Sequence, residues 1–76
     1  MSVFETVVSV LQGIMSETYD LQLGTNLYED LDLSTEEIVD VMLTIEQTIG
    51  VALDTHMFTN FETIGDICTY IEGKVS

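Results

Sequence analysis

Residues 35–49 carry apolar side chains at the period of an α-helix, and a glycine, Gly50, follows the last of them. Ile38, Val41, Met42, Ile45 and Ile49 fall on one face of a helix about 22 Å long, which gives the chain a stripe that must be buried. The start of this helix is marked as clearly as its end. Ser34 is placed to accept a hydrogen bond from the N–H of Glu37, and Glu37 can reach back to the N–H of Ser34, the reciprocal pattern of a capping box. Glu29, Asp30 and Asp32 precede the cap, and Glu36, Glu37 and Asp40 follow it. Glu36 and Glu37 sit at the positive end of the helix dipole, so segment 29–50 reads as an acidic loop feeding a well-started helix.

The flanking segments follow the same rules. Ser2–Met15 places Phe4, Val7, Val8, Leu11, Ile14 and Met15 on one helical face, and Ser2 with Glu5 repeats the capping-box pattern. Thr63 is positioned to cap a further helix with Asp66 at its third position, and Ile64, Ile67, Cys68 and Ile71 supply its apolar stripe. Gly73 is expected to end that helix, and Tyr70 to pack at its margin with the hydroxyl in water. Residues 17–33 show no period, yet they contain Leu21, Leu23, Leu27, Leu31 and Leu33, which predicts a long connection pinned to the core. Segment 54–60 has room for one or two turns, a short third helix. The expected fold is therefore all-α: one domain spanning 1–76, a small four-helix bundle with a long loop between its first two helices.

Charge narrows the functional classes. Fourteen acidic residues face one basic residue, Lys74, for a net charge of -13, which argues against nucleic acid or an anionic membrane surface as partner. Basic patches on other proteins are the complementary target, and self-repulsion favours a monomer. A single cysteine, Cys68, rules out an internal disulfide and suits a reducing compartment. No stretch reaches the roughly 18 apolar residues of a spanning helix, and no basic leader precedes the first apolar run, so a cytoplasmic location is expected.

The chain also offers little for catalysis. One His, one Cys, one Lys and no Arg leave His56 without an evident partner and place Cys68 in an apolar stripe. A zinc site would need ligands beyond His56 and Cys68, and the EF-hand spacing is absent around Glu29, Asp30 and Asp32, so no dedicated metal site is expected. Val39 and Leu43 lie four residues apart beside the core stripe of the second helix, next to Glu36 and Asp40. An exposed apolar pair ringed by carboxylates reads as a docking surface.

Four runs of residues resemble the acyl carrier protein family without a gap across nearly the whole chain. They are Thr25–Leu33, then Ile38–Asp40 with Leu43–Glu46, and Phe61–Ile67. The resemblance implies a non-enzymatic four-helix bundle that holds acyl, polyketide or aminoacyl groups as thioesters on a 4′-phosphopantetheine arm. It also implies as partners a phosphopantetheinyl transferase and acyl-transferring or biosynthetic enzymes with basic patches. Helix two would be the recognition face, with Glu36, Glu37, Asp40 and Glu46 meeting Lys and Arg around Val39 and Leu43.

The family attaches its arm to the serine of an Asp-Ser-Leu motif at the start of helix two, and here that motif is replaced by Ser34-Thr35-Glu36. In the ungapped register Thr35 takes the position of the arm-bearing serine and Ser34 that of the aspartate. By chemistry Ser34 is the alternative, since it offers a primary alcohol where the extra methyl of Thr35 crowds Cβ. A divergent carrier-like interaction module, keeping fold and docking face but no arm, is the competing expectation.

Overall fold

The computed structural model describes residues 2–15, 20–54 and 61–75, and these contain three helices: α1 (Val3–Met15), α2 (Thr35–Ile49) and α3 (Ile64–Val75). The all-α expectation holds for the described residues, which form no strand. The short helix expected at 54–60 lies outside them, save for Asp54, which is not helical.

Each helix starts where its cap predicts. Ser2 Oγ accepts from the N–H of Glu5 at 3.1 Å and Glu5 Oε1 from that of Ser2 at 3.3 Å, closing a capping box on α1. At α3 the Asp66 N–H donates to Thr63 Oγ1 at 3.2 Å, while Asp66 Oδ2 accepts from the N–H groups of Glu62 and Thr63 at 2.8 and 3.0 Å. α2 ends at Gly50, whose φ of 71° is the left-handed conformation glycine adopts without cost, and its N–H returns to the Glu46 carbonyl at 2.9 Å. α3 departs from expectation by running through Gly73 to Val75. Among the described glycines only Gly50 has positive φ, so Gly73 never makes the left-handed turn that would end a helix. Lys74 favours the longer helix too, as a cation at the negative end of its dipole and with Nζ 5.4 Å from the centre of the Tyr70 ring.

α1 packs against both α2 and α3. Val7, Leu11, Ile38, Val41, Met42, Ile45, Ile64 and Ile67 are fully buried between them, each worth about 1.5–3 kcal/mol of transfer free energy. Phe4, Val8, Ile14, Met15 and Ile49 are half-buried at the edges of this core.

The loop before α2 is held by its backbone as much as by its leucines. Leu27 N–H donates to Glu62 O at 2.8 Å, Ile64 N–H to Thr25 O at 3.1 Å and Gly65 N–H to Leu23 O at 2.8 Å, an antiparallel contact centred on Asn26 and Thr63. The approach is close enough that a Cβ on Gly65 would lie 3.0 Å from Leu23 O. Leu21, Leu27, Leu31 and Leu33 are buried as expected, but Leu23 is 56% exposed. The carbonyl of Leu23 is committed to Gly65 where the chain turns at 23–24, and its side chain lies outside the core.

Asn26 organises the next turn: its Oδ1 accepts from the N–H groups of Tyr28 and Glu29 at 2.9 and 2.8 Å, and its own N–H donates to Asp30 Oδ2 at 2.7 Å. Asp32 then enters the left-handed region at φ 54°, which brings Leu33 into the core and Ser34 to the cap of α2.

The segment after α2 is tied from two helices. Glu46 Oε1 accepts from the N–H of buried Leu53 at 2.7 Å, and the Tyr70 hydroxyl accepts from the N–H of Asp54 at 2.9 Å. The Tyr70 hydroxyl, expected only to reach water, thus also has a partner within the chain. The donor is 16 residues away, and the ring packs tilted, at 5.6 Å and 55°, against buried Phe61.

Asp32 supplies a test of the loop. Left-handed backbone costs an ordinary residue about 1 kcal/mol, whereas Asp and Gly tolerate it, so Asp32→Gly should be more stable than Asp32→Ala by about that amount. Urea midpoints of the two variants check it; the opposite order would mean that residue 32 does not hold this conformation in solution.

Candidate functional site at the start of helix α2

Ser34 is exposed and engaged in the cap of α2. With φ -83° and ψ 166° it leaves its Oγ to accept from Glu37 N–H at 3.2 Å, its N–H donates to Glu37 Oε1 at 2.9 Å, and its carbonyl accepts from Ile38 N–H at 3.1 Å. Thr35, one residue on, is the first helical position, and its side chain is exposed. Its hydroxyl makes no hydrogen bond among the described residues. The two neighbouring alcohols therefore differ in availability: one is an acceptor inside a cap and the other faces an open space.

That space is a shallow depression of about 410 Å³ lined by Thr35, Glu36, Val39 and Asp40. Helical geometry explains the grouping, since positions 35, 36, 39 and 40 are neighbours at spacings of three and four residues. Glu36 and Asp40 are exposed and Val39 is half-buried. Buried Leu33 and Ile38 on either side anchor the helix start, so the rim stands on a rigid base. Of the six residues expected to form a docking face, Glu36, Val39 and Asp40 share this depression. Leu43, 41% exposed, lies one turn further along α2.

Two of the expected docking carboxylates have internal duties. Glu37 Oε1 closes the capping box, and Glu46 Oε1 holds the N–H of Leu53. Beyond Asp40 the exposed positions on α2 are Leu43, Thr44, Gln47 and Thr48, none of them charged. Thr44 and Thr48 each donate to a carbonyl one turn back, at 2.8 Å. The free negative charge of α2 is thus concentrated beside Thr35.

The remaining reactive groups lie elsewhere. Cys68 is 3% exposed; burial pushes its thiol pKa up, helped by the Glu72 carboxylate, so it is held as the neutral thiol. His56 lies outside the described residues. The described residues contain no cluster of three or more His, Cys, Asp or Glu able to hold a metal, and Asp30 turns its carboxylate to the N–H of Asn26. None of the described helices is long and apolar enough to cross a membrane.

Sequence reasoning missed the roles of Asp32 and Glu46. Aspartate is among the few residues that enter the left-handed region readily, which was the available signal at position 32. Glu46 had no local signal, because its partner is seven residues away.

Fold and site together describe a small acidic helical protein that presents a free hydroxyl at a rigid helix start. No family model matches the chain. Known proteins do. An acyl carrier protein of Thermotoga maritima is 29% identical over 76 residues, spanning 93% of this chain and 94% of that protein. One of Phytoplasma australiense is 27% identical over 75 residues, spanning 97% and 99% respectively, and one of Acidothermus cellulolyticus is 29% identical over 72 residues, spanning 88% and 86%. Five such proteins, at 21–29% identity over most of the chain, support a family relationship between this chain and the acyl carrier proteins.

The carboxylates that cap helices make stability pH-dependent. The N–H groups of Glu62 and then Thr63 hold the Asp66 carboxyl below its ordinary range, and Ser2 does the same for Glu5. A carboxyl with a lowered folded pKa stabilises fully above its unfolded pKa of about 4 and loses that contribution as pH falls through the lower folded value. Urea unfolding of the wild type and Asp66→Asn from about pH 6 to pH 2 should show the wild type's advantage shrinking with acid. A gap constant across that range would show that Asp66 is not held as the anion.

Proposed function

We propose that this chain is a carrier protein that bears a 4′-phosphopantetheine arm on Thr35 and presents the cargo on that arm to partner enzymes through the first turns of α2. The observation that carries the assignment is the contrast between two exposed neighbours: Ser34 Oγ is engaged by Glu37 N–H, whereas Thr35 lines an open depression and has no such bond among the described residues. The relatives named acyl carrier protein support the carrier role at modest identity.

The residues present fit such an arm. An exposed, unbonded hydroxyl is what a phosphodiester attachment requires, and the N-terminal end of α2 favours the negative phosphate while the neighbouring Glu36 and Asp40 carboxylates oppose it. When bound, the arm supplies the thiol on which acyl, polyketide or aminoacyl groups are held as thioesters. In the loading step Thr35 Oγ1 attacks the β-phosphorus of coenzyme A inside a phosphopantetheinyl transferase. A P–O bond forms to Thr35, the bond to the 3′,5′-ADP leaving group breaks, and the hydroxyl proton passes to a base of the transferase. The chain performs no catalysis itself; it holds the hydroxyl on a rigid helix start and offers a recognition surface. In this reading the bundle is the four-helix one of the acyl carriers, monomeric and cytoplasmic.

Docking follows from the same face. Glu36 and Asp40 meet Lys or Arg of the partner, with Val39 and Leu43 as the apolar centre, and Glu37 and Glu46 support the helix from within. Exposed ion pairs contribute about 0.2–1 kcal/mol each, so contacts are weak, salt-sensitive and quickly released, as a shuttle needs.

Intact mass after incubation with coenzyme A, Mg²⁺ and a broad-specificity transferase tests the attachment. A gain of one arm that persists in Ser34→Ala and vanishes in Thr35→Ala is expected. The reverse pattern would assign Ser34, and no gain with any transferase, including one from the same source, would favour an interaction module without an arm.

Loading kinetics test the docking face. The double variant Glu36→Gln with Asp40→Asn should weaken transferase binding about two- to thirtyfold and flatten its salt dependence, while Glu46→Gln should leave both unchanged. Equal losses in the two variants would reject this division of labour.

A further inference from the structure

We infer that a cavity at the far end of the bundle is a second ligand site, for one small uncharged apolar molecule of about benzene size. It is lined by Val3 and Thr6 from the first turns of α1, Ile49 from the last turn of α2, and Ile71 and Val75 from the C-terminal part of α3. Ile49 lies about 21 Å along α2 from Thr35, so this space is separate from the depression beside the hydroxyl. The inference does not depend on the carrier reading.

Volume and chemistry select the ligand. The cavity is partly open and measures about 170 Å³, close in volume to the roughly 150 Å³ of an enclosed engineered apolar cavity that admits benzene or xenon. The one polar residue of its described lining, Thr6, already donates its hydroxyl to the Ser2 carbonyl at 3.1 Å. No buried side-chain polar atom among the described residues lacks a partner, and a water needs two to four such partners to settle. An apolar occupant instead gains the dispersion contacts that the walls lack when the space is empty.

Charge disfavours the anionic counterparts of such a molecule. The chain carries a net charge of -13, and its single lysine, Lys74, is placed over the Tyr70 ring and does not line the cavity. A carboxylate entering here would lose its hydration with no lysine or arginine in the described lining to receive it. Val75, 47% exposed, is the most solvent-accessible residue of the described lining.

Benzene is the probe. Titrated into the full-length, isotope-labelled chain, it should produce saturable shifts in the methyl signals of Val3, Ile49, Ile71 and Val75, with a dissociation constant on the order of 1 mM for a ligand of six heavy atoms. The melting temperature should rise with benzene concentration. Ile49→Phe, which fills the space, should abolish the shifts while keeping helical circular dichroism; should it lose helicity, Val3→Ile is the second filling variant. Benzoate should bind at least about tenfold more weakly than benzene. Non-saturating shifts, shifts centred on the exposed Leu23 and Leu43, or undiminished binding in a folded filled variant would overturn the site. Benzoate binding as tightly as benzene would overturn the restriction to uncharged ligands.

Discussion

A chain with fourteen acidic residues and one lysine cannot neutralise its charges by pairing them with cations. Backbone N–H groups take that role instead. Glu5 receives the N–H of Ser2, Asp30 that of Asn26, Glu37 that of Ser34, Glu46 that of Leu53, and Asp66 those of Glu62 and Thr63. Each bond gives a carboxylate a local positive dipole and gives an otherwise orphaned donor a charged acceptor, a stronger arrangement than a neutral pair. The helix starts, the turn at Asn26 and the segment after α2 all rest on this exchange. Acidity here is a structural resource before it is a recognition signal.

This division determines which charges remain for a partner. Carboxylates spent on backbone donors face inward or along the chain, and those left over on α2, Glu36 and Asp40, flank Thr35. The hydroxyls divide in the same way. Ser34 belongs to the capping box and Thr35 does not, so adjacent residues of similar chemistry acquire different uses from one hydrogen bond. The start of α2 is rigid because Leu33 and Ile38 are buried on either side of it and because the loop before it is paired through backbone to the segment leading into α3.

Much of this was legible in the chain itself. The capping pairs Ser2 with Glu5, Ser34 with Glu37 and Thr63 with Asp66 involve residues three apart, so spacing alone announces them, and the buried stripes repeat at helical period. Gly50 shows how a glycine ends a helix; Gly73 shows that the residue type does not compel it, because the backbone must also turn left-handed. Leu23 misled for a related reason. Five leucines in a loop predict a pinned loop, but which of them is left outside depends on a carbonyl that bonds to Gly65, far away in sequence.

The sequence by itself determined the helices, their caps, the core stripes and the cluster of charge and hydroxyls at residues 34–40, because those features arise from interactions within one helical turn. Only the tertiary structure decided how these parts are shared out. It drew the Tyr70 hydroxyl to Asp54 and the Glu46 carboxylate to Leu53, and it brought three helix ends together around an apolar cavity. Those outcomes depend on contacts between residues distant in the chain, for which no local pattern supplies the partner. The stretch where charge, cap and free hydroxyl meet is local in origin, and its orientation toward a partner is the work of the whole fold.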